Sequence, residues 1–164
     1  MISLKELLTF EDPINDKLRI HLSNGPIGNI TNKDPYFGRP TAKPSGFWYG
    51  FGREWIDWVY GEEFRSKYGT HIYFVKVKNP SRIFKLHDKQ GMSDFSDKYG
   101  SNGYIDWGKV GQDWGGIEIN PYQGKLYYDS GKFSWYGTWD IASGCVWDVS
   151  LIDIKQIYPK EQKS

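Results

Sequence analysis

Few side chains in this 164-residue sequence combine the type and the setting needed to act on a substrate. The three histidines, His21, His71 and His87, lie far apart, and no two share the short spacing that brings imidazoles together on a metal. The single cysteine, Cys145, excludes an internal disulfide framework and any multi-cysteine zinc site. It has no sequence partner to activate it, so it is expected to be a small buried apolar residue. Phosphate-binding loops, dinucleotide glycine fingerprints, HExxH and GxSxG are all missing from the sequence. What remains is a carboxylate on an expected strand, Glu118 in GGIEINPY, an imidazole on another, His21 in KLRIHLS, and many aromatic rings. A rigidly held carboxylate stabilises positive charge that builds on a sugar carbon when its glycosidic bond breaks. An imidazole donates or accepts a hydrogen bond at a sugar hydroxyl, and a flat ring stacks on a heterocycle.

The elements that must carry these groups follow from periodicity. In Lys17 to Leu22, the aliphatic residues Leu18, Ile20 and Leu22 alternate with Lys17, Arg19 and His21, which predicts a half-buried strand with His21 on the polar side. A polar stretch with Pro26, Pro35, Pro40 and Pro44 follows from Ser23 to Ser45, long for a plain connection and of the kind that is usually functional or partly mobile. Gly46 to Gly50 is an aromatic strand, and Trp55, Trp58 and Val59 share one face of the helix expected after Gly52. His71 to Lys78 is the clearest strand, ended by Asn79-Pro80, with Ile83 to Leu86 a second. Helices are expected over Leu4 to Phe10, over Ser93 to Tyr99 with Ser93 as cap, and over Asp106 to Asp113 with Asp106 as cap. In the last of these, Trp107, Val110 and Trp114 share a face, and Gly115-Gly116 is the stop. Ile117 to Ile119, Phe133 to Ile141 and Cys145 to Ile157 supply the remaining strands. The mixed order predicts an α+β fold in a single domain: residues 1–16 a helical segment, 17–159 the core, 160–164 a tail.

Composition bounds the function. Lys and Arg number 21 against 20 Asp and Glu, so the chain lacks the basic excess of a polyanion binder, although a local patch remains open. No apolar run approaches a membrane span, and Lys5 and Glu6 interrupt the N-terminal leucines, so no secretory signal or membrane partner is expected and the location is taken as cytoplasmic. The 29 aromatic residues (8 Trp, 12 Tyr and 9 Phe) call for strands, platforms or both.

The pieces come in an order that resembles the ADP-ribosyltransferase superfamily. RIHLSNGPIGNI looks like that family's first strand, which carries a His or Arg, with Ile27 and Ile30 at the spacing of the turn that follows it. SGFWYG and the helix after it look like the second element, G-[IL]-Y-F-[SA], with Trp48 where the family usually has Tyr unless Tyr49 takes that place. GIEI looks like the later strand that carries a Glu. The closing segment WDIASGCVWDVSLIDIKQIYP also resembles the family's last strands. In that register the acidic position falls near Ser143 or Cys145, with Asp140 or Asp148 the carboxylates close by. The resemblance implies two small packed antiparallel or mixed sheets, with flanking short helices, around an NAD cleft. It implies Glu118 as the catalytic carboxylate, His21 as a ribose contact, Ser23 as a carboxamide contact, and Trp48 or Tyr49 as the ring stacked on nicotinamide. NAD enters as a substrate, the acceptor is a protein or nucleic acid, and small forms of the family look like toxins, effectors or phage-encoded modifiers.

Each residue also has a purely structural role open to it. The tryptophans can be core, His21 and Glu118 can be solvent-facing strand residues, Asp140 can shape a turn, and Arg39 and Lys43 can be solvated rather than facing a pyrophosphate. Two other functions fit the same sequence. One is a noncatalytic β-rich module whose exposed Trp and Tyr bind a sugar or single-stranded nucleic acid. The other is a degenerate transferase fold that acts through protein–protein contacts.

Overall fold

A computed structural model describes residues 17–61, 71–128 and 131–159, with the side chains of 59–61 and 127–128 left aside. The helix expected over Leu4 to Phe10 lies outside the described residues. The protein is α+β, and its chain divides into two compact units built from non-contiguous segments. Among the described residues the first draws on 17–30, 49–61, 71–78 and 152–159, the second on 31–48, 79–128 and 131–151.

In the first unit, strands β1 (Arg19–Ser23), β2 (Phe47–Phe51, entering this unit at Tyr49), β3 (His71–Val77) and β9 (Ile152–Tyr158) follow the antiparallel order β2-β1-β3-β9. The expected alternation is present in β1: Ile20 and Leu22 are buried, while Arg19, His21 and Ser23 are half-buried on the other side. Register pairs Ile20 with Phe74 and Leu22 with Ile72, so apolar side chains of neighbouring strands share a face. Helix α1 (Glu54–Gly61) adds Ile56, fully buried, to this cluster, and Trp55 and Trp58 pack against it only half-buried. Ile56 is the fully buried residue of this helix, while Trp55 and Trp58, which the spacing singled out, pack against the same cluster with partial exposure; the side chain of Val59 lies outside the described set.

In the second unit, β4 (Ile83–Leu86), β7 (Gly116–Ile119) and β8 (Ser143–Val146) lie side by side, β4 parallel and β8 antiparallel to the central β7. A parallel pair needs a long crossover. Here it is made by α2 (Lys89–Tyr99), the hairpin β5 (Gly100–Ser101) and β6 (Tyr104–Ile105), and α3 (Trp107–Asp113). The hairpin turns on Asn102-Gly103, both at positive φ (52° and 83°), the backbone that the tight two-residue turn demands.

Three expectations change here. Helix α2 starts at Lys89, capped by Asp88, whose extended backbone aims Oδ1 at the Gly91 N–H at 2.7 Å. Ser93 lies inside the helix and its hydroxyl meets Lys132 Nζ at 2.6 Å. Trp114 lies outside α3, as its C-cap with an extended backbone (φ −136°, ψ 154°), and reaches the same core as Trp107 and Val110 only partly buried. The aromatic run expected as a strand from Phe133 to Ile141 contains instead a 3₁₀ turn over Ser134–Thr138. Phe133, Tyr136 and Trp139 recur every third residue, the repeat that eclipses in a 3₁₀ turn, and all three are buried.

These rings join an aromatic core. Trp107, Trp135, Trp139 and Trp147 are buried, and each indole N–H finds an oxygen: Thr41 O at 3.1 Å, Ser96 Oγ at 2.9 Å, Ala42 O at 3.1 Å and Trp114 O at 2.8 Å. Two of the four acceptors belong to the long polar connection, which also pairs Thr41 with Ile105. The connection is thus tied to the core at these points by backbone carbonyls that would otherwise need water. No described helix is long and apolar enough to cross a membrane.

Candidate functional site

The site residues named from the sequence fall into both units. In the first, His21 is half-buried with the Trp55 ring edge-on at 5.5 Å and the Tyr73 ring at 6.1 Å. It is held among rings rather than projecting into solvent. Ser23 closes a local turn: its Oγ donates to Gly25 O at 2.5 Å and accepts from Gly25 N at 3.3 Å. The turn beyond it is fastened where Ile27 N donates to the Tyr73 hydroxyl at 2.8 Å, and that hydroxyl in turn meets Gln156 Oε1 at 3.1 Å. Tyr49 is 0% exposed and packs edge-on against Phe51 at 5.9 Å, so its ring presents no open face.

In the second unit, Glu118 occupies the middle of β7 and is only 3% exposed. Ile117 and Ile119 point into the aromatic core, so the carboxylate lies on the other face of the strand. Its register partners are Lys85 on β4 and Gly144 on β8, and the glycine contributes no side chain beside it. The solvent-facing role is excluded: Glu118 is one of three buried polar or charged residues among those described, the others being Ser96 and Ser143. Burying a carboxylate costs free energy that an apolar residue of similar size would not.

Trp48 is half-buried, its ring 5.0 Å from Trp139 at 64°, and the Lys43 ammonium lies 5.8 Å from the ring centroid. The Lys43 side chain as a whole is exposed. Even so, partial burial lowers the pKa of its ammonium, while the negative charge of Asp140 acts in the opposite direction. Asp140 also adds to the upward shift of the Tyr122 phenol, which burial mainly causes. Tyr122 stacks obliquely on Tyr136 at 5.5 Å and is 38% exposed. This grouping of Lys43, Trp48, Tyr122, Trp139 and Asp140 has no signature in the sequence, because its members come from three separated stretches.

The alternative acidic register gathers less. Ser143 and Cys145 are buried in β8, with the Ser143 hydroxyl donating to Ile141 O at 3.2 Å. Cys145 is fully buried, as expected, and burial pushes its thiol pKa well up. Asp148 shapes a turn, its Oδ1 accepting from Ser150 Oγ at 2.6 Å and from Ser150 N at 3.2 Å. Arg39 is exposed. Among the described residues, no three His, Cys, Asp or Glu side chains gather as a metal site would require.

The aromatic count has its explanation in the core. Half of the tryptophans are buried, and the large hydrophobic residues exposed among those described are Phe37 at 59%, Tyr104 at 48% and Tyr122. Compared with known proteins, the chain matches no family model, no curated protein and no solved structure.

Proposed function

We propose that the protein is an NAD-dependent ADP-ribosyltransferase that modifies a protein or nucleic-acid acceptor. The observation that carries this reading is Glu118, a carboxylate held in the middle of a central strand and almost wholly removed from solvent. The resemblance to the superfamily assigns it as the catalytic acid. In the reaction, the bond between nicotinamide nitrogen and ribose C1′ breaks. Its electron pair leaves with the now neutral nicotinamide, and positive charge spreads over C1′ and the ring oxygen. A carboxylate held on a rigid strand is the kind of group that stabilises such charge, because a preorganised group costs the least reorganisation. The acceptor nucleophile then bonds to C1′ and gives up its proton. Within the same unit the supporting role goes to Trp48 at the nicotinamide. Of the two candidate stacking rings Trp48 is preferred, because Tyr49 is enclosed.

The test is transfer of labelled ADP-ribose from NAD by purified protein to components of a cell lysate. Wild type should label an acceptor, and Glu118→Gln should not, while its melting temperature stays within about two degrees because shape and burial are kept. A fully active Glu118→Gln protein would remove the carboxylate from its role. A melting shift with NAD but no label would point to a fold that binds the dinucleotide without transferring it.

A further inference from the structure

Resting on the transferase reading, we propose that Lys43 and Trp48 form an exchange pair for the dinucleotide. The ammonium that lies on the indole yields that face to the cationic nicotinamide ring and takes the pyrophosphate instead.

The argument begins with charge. Lys43 Nζ is 5.8 Å from the Trp48 centroid, at the outer edge of the range in which an ammonium is drawn to an indole face. The nicotinamide ring of NAD is itself a flat cation, attracted to the same face by the same ring quadrupole and with far more contact area. Two cations do not share that face. The ligand also carries what a displaced ammonium seeks, a pyrophosphate with two negative charges, for which lysine is a flexible point-charge partner. Trp48 is steadied by Trp139, whose indole N–H is anchored on Ala42 O next to Lys43 in the chain. The ring is therefore held by its neighbours, while the Lys43 backbone is fixed where Thr41 Oγ1 donates to its carbonyl at 2.9 Å and its long, exposed side chain carries the charge. Asp140 adds a carboxylate close enough to act on Lys43, so negative charge remains near the face whichever cation occupies it.

Binding measurements on the whole chain separate this from a packing role. The probes are a non-cleavable carbocyclic NAD and nicotinamide riboside, which has the same cationic ring and no phosphate. Lys43→Ala should weaken the NAD analogue about ten-fold, the usual loss for one charge-assisted contact. The same substitution should leave the riboside unchanged or bind it more tightly, because the competing ammonium is gone. Lys43→Arg should restore the analogue. Equal losses for both probes would make Lys43 a support for the Trp48 ring and overturn the exchange, as would an unchanged affinity for the analogue. If wild type binds neither probe, the transferase reading itself falls and the exchange with it. If wild type binds both probes and the Lys43 variants bind both as wild type does, the exchange alone falls.

Discussion

The Trp135 indole N–H donates to the Ser96 hydroxyl at 2.9 Å in the interior of the second unit, joining a 3₁₀ turn to helix α2 across 39 residues of sequence. Around this bond the rings of Phe95, Trp107 and Trp139 stand 5.6, 6.2 and 5.8 Å from Trp135, which leaves water little room to replace a lost partner. It explains why α2, otherwise rich in polar residues, buries a serine among Met92, Phe95 and Tyr99.

Ser96→Ala should therefore cost more than a hydroxyl on a surface helix would. Leaving a buried donor unsatisfied costs about 1–3 kcal/mol, and at this chain length each kcal/mol lowers the melting temperature by about 2–4 °C. Chemical denaturation of Ser96→Ala, Trp135→Phe and the double variant measures the bond itself. The two single losses should exceed the double loss when summed, because the second substitution removes a partner that is already gone. Additive losses would mean that the bond contributes nothing beyond packing.

The N-terminus of the same helix offers a second comparison. Asp88 Oδ1 satisfies the Gly91 N–H, whereas Ser93 sits a turn inside and meets only an exposed lysine. Asp88→Ala should destabilise by about 1 kcal/mol, the common cost of a lost cap, and Asp88→Ser should recover most of it. Ser93→Ala should change stability by less than about 0.5 kcal/mol, as surface substitutions do. Urea titrations of the three variants check the order, and a Ser93→Ala loss equal to that of Asp88→Ala would contradict the assignment.

This contrast shows what was legible in the sequence. Strong period-two segments, β1 and β3, are found within a residue or two of their expected limits, because one buried face fixes their register. Asp106 caps α3 as its type and place before an apolar repeat imply, with Oδ1 accepting from Lys109 N at 3.2 Å. Ser93 misled because a cap is defined by the backbone before the helix, and the polar first turn from Lys89 to Gly91 gives no apolar repeat to mark it. The 3₁₀ turn at Ser134–Thr138 was hidden by aromatic residues, which favour strands by type even where their spacing is three. The Asn102-Gly103 dipeptide marks a hairpin turn, but strands of two residues carry no alternation that the sequence can show. Of the site, Glu118 was readable as a strand-borne carboxylate. Its burial was not, since Gly144 lies 26 residues away in the chain. The Lys43–Trp48 contact is local, but it lies in a connection without periodicity, where no repeat tells which side chains meet.

Cys145 gives a pH-dependent prediction whose sign can be worked out. Its thiol is enclosed in β8, close enough to the chain at Gly46 that a Cβ built there would come within 2.6 Å of Sγ. Burial favours the neutral thiol and raises its folded pKa, while an unfolded chain releases the proton near pH 8.5 or so, about the ordinary value. Above that pH the folded state holds a proton that the unfolded state has lost, so stability falls as pH rises toward the folded value. The Tyr99 and Tyr122 phenols, both raised chiefly by burial, add losses in the same direction only above about pH 10, their ordinary value. Lys43, whose pKa is lowered, acts in the opposite sense, gaining stability as pH rises between its folded value and that of an unfolded lysine. The difference between wild type and Cys145→Ala removes the shared terms and isolates the thiol. Denaturation at a series of pH values from 7 to about 10 should show wild type losing stability relative to Cys145→Ala as pH passes about 8.5. Iodoacetamide at the alkaline end should label the native chain far more slowly than the urea-unfolded chain, since the thiolate is the nucleophile. Parallel stability curves, or native labelling as fast as unfolded, would show that the thiol is open to water and that β8 does not enclose it.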